Sequence, residues 1–139
     1  MKRTVDQLLR FPTAVRRDPA VDQWFEHRND ELAMIARRWF EVMRGCGDDV
    51  HELTHDLMPT ACVGDVAFAY VNAFTSHVNV GFFCGSELDD PHQILEGSGK
   101  WMRHVKLGAA HAADEVALEE MIRIAYFDVR GRVTQEVGR

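Results

Sequence analysis

The chain reads as a two-layer α+β domain, with helices packed on one face of a mainly antiparallel sheet. Three observations predict this. Apolar residues recur at helical spacing from Val21 to Met43 and again from Leu118 to Val129. Between them, Val66 to Ser86 contains no Asp, Glu, Lys or Arg, as expected of central strands in which a charge would be costly to desolvate. The order helix, strands, helix then places helical layers at both ends of the chain against one sheet. With 139 residues and no internal repeat or low-complexity tract, the chain forms one domain over residues 18–139, preceded by a lead-in over residues 1–17.

The lead-in carries only a weak amphipathic turn around Val5, Leu8 and Leu9. Asp18 before Pro19 starts the first helix, since a carboxylate caps free N–H groups and proline suits the first helical position. Asn29, Asp30 and Glu31 restart it, which predicts a break near Arg28; Gly45 and Gly47 end it. Thr60 to Val63, Val66 to Ala73, His77 to Cys84 and Trp101 to Leu107 read as strands, separated by turns at Gly64-Asp65 and Phe74 to Ser76. Strict alternation places Ala67, Ala69, Val71 and Ala73 on one face and Phe68, Tyr70 and Asn72 on the other. It also separates Val78, Val80 and Phe82 from His77, Asn79, Gly81 and Phe83. Asp114 to Arg130 is the final helix, with Leu118, Met121, Ile122, Ala125 and Val129 as its stripe and Gly131 as its stop.

Composition narrows the functional classes. A net charge of −6 argues against sequence-independent nucleic-acid binding, which depends on neutralising phosphates with Lys and Arg. The first residues lack the apolar run of a secretory signal, and no stretch approaches the ~20 apolar residues of a membrane helix, so the expected location is the cytoplasm. Cys46, Cys62 and Cys84 lack metal-type spacing and read as reduced, packed thiols.

His51 to His55 spells HELTH, a formal match to the H-E-x-x-H zinc motif in which two histidines on one helical turn bind the metal. Val50, Leu53 and Leu57 allow a helical turn there, but Pro59 leaves little room for a long helix and no third ligand follows. LEGSGK at Leu95 to Lys100 fails the phosphate-loop spacing; Gly97 and Gly99 instead suit a tight turn or an anion-binding concavity. In MRHVK, from Met102 to Lys106, alternation turns Arg103 inward with Trp101, Val105 and Leu107, where Glu96, Asp89 or Asp90 would have to pair it. Lys100, His104 and Lys106 then share the other face with Tyr70, Asn72, His77 and Asn79, around the space left by Gly81. Hydrogen-bonding groups, aromatics and positive charge in that mixture suit a small anionic ligand. No catalytic arrangement of Ser, His, Cys or paired carboxylates can be assigned from spacing.

HVNVGFF at His77 to Phe83, DDP at Asp89 to Pro91, LEGSGK and MRHVK occur in an order that resembles the YdhG-like family of small bacterial domains, over roughly Asp48 to Val129. The resemblance implies an α+β fold similar to that of frataxin and an intracellular iron-chaperone role. Iron handling of that kind would use clustered carboxylates, because hard iron prefers oxygen ligands. Acidic residues of the first helix are interleaved here with Arg28, Arg37 and Arg38, whereas Asp48, Asp49, Glu52 and Asp56 form a second cluster; Asp48, Asp49 and Glu52 are the iron-ligand candidates. Three expectations follow: a non-catalytic binding module for a small anion with no cofactor, an iron-binding protein, or a protein-partner domain using exposed aromatics.

Overall fold

The computed structural model describes residues 2–137. Five strands form one antiparallel sheet in sequential order: β1 (Val50–His55), β2 (Met58–Val63), β3 (Val66–Ala73), β4 (Val78–Phe82) and β5 (Arg103–Leu107). Three helices, α1 (Pro19–Arg28), α2 (Glu31–Arg44) and α3 (Glu115–Val137), pack against one face. No helix among the described residues is long and apolar enough to cross a membrane.

Local chemistry explains the helix ends. Asp18 accepts a hydrogen bond from the Ala20 N–H with Pro19 in the first turn, and Asp30 accepts from the Ala33 N–H to begin α2. Asn29 between them adopts a left-handed φ of 34°, which produces the break expected near Arg28. By contrast, α3 runs past Gly131 instead of stopping there. The glycine stays helical because the next residue is held: Arg132, 8% exposed, bonds Asp128 one turn back and Glu87 across the fold. Continuing the helix makes these charge-assisted contacts, which exceeds the ~1 kcal/mol helix penalty of one glycine.

The helix face is the main core. Val21, Phe25, Ala36, Trp39, Phe40 and Met43 from the first two helices meet Val71, Val78, Val80, Phe82, Val105 and Leu107 from the sheet, and the whole expected stripe of α3 joins them. One expected assignment is corrected. The register steps from Ala61↔Ala69 to Cys62↔Ala67, so Phe68 is the extra residue of a β-bulge. Phe68 therefore turns to the helices and meets Tyr126 edge-on at 5.7 Å, while Ala67 faces the opposite side.

The opposite face is not left open along its whole width. The segment from Leu9 to Val15 crosses it: the Ala67 N–H donates to Leu9 O, the Phe11 N–H to Asp65 O, and Val15 and Glu52 exchange two backbone hydrogen bonds at the outer edge of β1. Phe11 and Ala14 of this segment pack on a second apolar cluster of Leu53, Cys62, Ala67, Tyr70 and Phe83. The Leu9 to Val15 part of the lead-in is thus a strap over β1 to β3, whereas Val5 and Leu8 before it join the helix-face core; the face over β4 and β5 lies beyond the strap.

Candidate functional site

HELTH forms β1, not a helical turn. Its hairpin closes through Asp56 and Leu57, whose φ values of 49° and 63° are those of a two-residue I′ turn. Residues four apart in a strand are separated by about 13 Å, so His51 and His55 cannot meet one ion as they would on a helix. The His55 ring instead lies 4.4 Å from that of Phe11 in the strap. Glu52 points to the helix side, 1% exposed, where its two oxygens each accept at 2.7 Å from Arg44 and the Asp18 N–H adds a third bond.

The carboxylates proposed for iron are dispersed, Asp48 and Asp49 in the turn before β1 and Glu52 within the strand. Asp48 is fully exposed beside Arg16, Asp49 accepts from the Tyr126 hydroxyl at 2.5 Å, and Glu52 is committed to Arg44. These three residues do not form an oxygen-lined site. Among the described residues no group of three or more His, Cys, Asp or Glu is placed to hold a metal. The cysteines are free thiols; burial pushes Cys62 up to about 12 and Cys46 and Cys84 up to about 11, which favours the protonated thiol.

The polar residues of the sheet are brought together with two exceptions. Pairing places Asn72, Asn79 and Lys106 directly across from one another in one row, and Tyr70, Gly81 and His104 in the next. Opposed residues on one face have Cβ atoms ~4.5–5.5 Å apart. Glu96 extends the second row, exchanging backbone hydrogen bonds with His104 at 2.8 and 2.9 Å. His77 flanks the first row, stacked on Phe74 at 4.8 Å and edge-on to His111 at 5.7 Å.

Lys100 is the first exception. The strand begins only at Arg103, and the Lys100 ammonium lies 5.1 Å from the Trp101 ring, on which Arg3 also stacks at 3.9 Å. Trp101 is thereby taken up by two cations instead of the core. Tyr70 is the second exception. Its ring fills the space over Gly81, where an added Cβ would come within 2.0 Å of it, and packs 5.3 Å from Phe83 in the strap-covered cluster. The gap expected at Gly81 is therefore occupied from within.

Arg103 also behaves differently from expectation. Its guanidinium donates to the Gly99 and Met102 carbonyls, while the Asp90 carboxylate accepts from the Ile94 and Leu95 N–H groups. Local carbonyls satisfy the arginine without a carboxylate. Gly97 takes the left-handed φ of 120° that its position requires, closing the turn next to the His104 ring.

What remains over β4 and β5 is a half-buried polar patch of Asn72, His77, Asn79, His104 and Lys106. The Asn79 Oδ1 is buried without a hydrogen-bond partner among the described residues. Burial holds His104 below the ordinary histidine value of 6.5; Glu96 opposes this, and Lys106 and His77 reinforce it. The patch offers donors from Lys106, Asn79 and His104 to one small acceptor. His111 and Glu96 at its border were legible in sequence only as neighbours of the basic segment, because their approach depends on strand pairing.

No family model, curated protein or solved structure matches the chain.

Proposed function

We propose that the chain is a YdhG-like domain acting as a non-catalytic binding module for a small anionic ligand, held on the bare half of the sheet face. The observation that carries this reading is the cross-strand row of Asn72, Asn79 and Lys106 with His104 and His77 beside it, lying where the strap does not reach. Two charge-assisted hydrogen bonds, each worth ~1.5–3 kcal/mol, hold a carboxylate at micromolar to millimolar affinity once association costs are met. Lys106 supplies the permanent charge. His104 adds a second when protonated, and the anion itself favours that form. The order of the HVNVGFF, LEGSGK and MRHVK motifs supports the family, and their placement around one patch supports a shared role.

The test is an NMR titration of the native chain, Lys106→Ala and Lys100→Ala with acetate and malonate. Malonate should perturb the amides of Asn79, His104 and Lys106, the perturbation should be lost in Lys106→Ala, and Lys100→Ala should behave as the native chain. Equal responses in the two lysine variants would reject the site.

A further inference from the structure

We infer that the outer edge of β5 reads a single peptide unit, so that the ligand of the polar patch is an N-acylated amino acid or a similar small secondary amide bearing a carboxylate. This deepens the anion-binding reading and rests on it. The His104 N–H donates outward to Glu96 O and its C=O accepts outward from the Glu96 N–H. In an antiparallel ladder, residues two apart point their peptide groups the same way. The N–H and C=O of Lys106 therefore also point away from β4, which bonds β5 through Val105 and Leu107 instead.

Nothing among the described residues is bonded to those two Lys106 groups. The cause lies in the neighbouring segment. Gln93, with a left-handed φ of 53°, and the Asp90 carboxylate that holds the Ile94 and Leu95 N–H groups keep the chain off β5 until Glu96 arrives. On the other side, the His111 N–H closes back on Gly108 O at 3.0 Å, ending the edge in a turn. One unpaired position remains between two closed ones, and it opens into a depression of about 490 Å³ in which Lys106 is the one residue of the polar patch, with Glu96 and Asp114 among the polar lining and Ile94, Val105 and Ala113 among the apolar lining.

That geometry selects a class of ligand. An unpaired N–H and C=O on one strand residue are satisfied together by the C=O and N–H of one opposed residue. The closed flanks exclude a long added strand, so the fitting partner is one residue in length. In an N-acylated amino acid the amide N–H donates to the Lys106 carbonyl, one carboxylate oxygen accepts from the Lys106 N–H, and the carboxylate lies within reach of the Lys106 ammonium. One oxygen of Asp114 is engaged, accepting from the Ala117 N–H at the start of α3.

The experiment titrates the full native chain with N-acetylglycine and with acetate, and repeats both on Lys106→Ala and Lys106→Pro. Proline deletes the outward N–H without touching the ladder to β4, which edge strands tolerate. N-acetylglycine should bind the native chain about ten-fold more tightly than acetate, the worth of an added hydrogen-bonded amide. Lys106→Ala should weaken both ligands while keeping that preference; Lys106→Pro, which loses the N–H that the carboxylate meets but keeps the carbonyl that the ligand amide meets, should weaken N-acetylglycine further than Lys106→Ala does, and N-acetylsarcosine, which lacks the amide N–H, should bind the native chain no more tightly than acetate. A second readout does not depend on the proline variant folding: N-acetylglycine should slow hydrogen exchange of the Lys106 amide in the native chain more than acetate does at equal occupancy. If N-acetylglycine and acetate bind equally, or N-acetylsarcosine binds as tightly as N-acetylglycine, the edge does not read an amide although the anion site stands. If neither binds, both readings fall.

Discussion

The two faces of the sheet are closed by different means. The helix face is covered by three helices that bury large side chains such as Phe40, Phe68, Phe82 and Met43 completely. The other face is covered only over β1 to β3, by one extended segment contributing Phe11 and Ala14, and is polar beyond it. A strap of a few residues shields a strip about one side chain wide. The sheet therefore has a stable side, a shallow covered side, and a half-buried polar margin that no described segment covers. Function is cheapest to place on that margin, where a substitution disturbs little packing.

Substitutions graded across the faces should reproduce this gradient. Phe82→Ala, on the helix face at 0% exposure, should destabilise by about 3–5 kcal/mol in urea unfolding. A loss below about 1 kcal/mol would remove the distinction between the faces. Gly81→Ala probes the boundary between strap and bare margin: its new Cβ meets the Tyr70 ring at 2.0 Å, and displacing that ring from Phe83 should cost about 1–3 kcal/mol. A neutral result would show that Tyr70 swings away freely. Phe11→Ala, which removes the half-buried aromatic of the strap, should cost about 1–2 kcal/mol, part of what full burial of such a ring contributes. It should also speed hydrogen exchange at the Ala67 and Phe11 amides more than in the β4–β5 ladder; uniform acceleration would mean that the strap is no separate unit.

The smallest effect belongs to the bare margin and depends on pH. Burial lowers the His104 pKa relative to the unfolded chain, so the unfolded state takes up the proton first. Stability should therefore fall slightly as pH drops below the ordinary histidine value of 6.5, and His104→Gln should flatten that part of the profile. A carboxylate that pairs with the protonated ring reverses the sign, so stabilisation by malonate should grow as pH falls through the same range. Malonate stabilisation that is unchanged by pH would remove His104 from the patch.

Much of the fold was legible because it rests on local chemistry and periodicity. The Asp18-Pro19 start, the Asn29-Asp30 restart, the stripe of α3 and the charge-free β3–β4 hairpin each follow from residues close in sequence. β1 escaped because HELTH has no clear period-two pattern and its turn is built from Asp56-Leu57 without the glycine that usually marks an I′ turn. The bulge at Phe68 escaped because a one-residue slip is invisible to alternation until the partner strand is known.

For the patch, sequence by itself determined the ingredients: Asn72, His77, Asn79, His104 and Lys106 fall on one parity of their strands, and parity is a property of the chain alone. Tertiary structure decided which of them meet. Strand register set Asn72, Asn79 and Lys106 in a row, the ring of Tyr70 closed the gap at Gly81, and Trp101 drew Lys100 away between loop and strap. The same holds for the acidic residues, adjacent at Asp48, Asp49 and Glu52 in sequence but sent to solvent, to Tyr126 and to Arg44. Neighbours along a strand point to opposite faces, whereas residues far apart in sequence share a face when their strands pair.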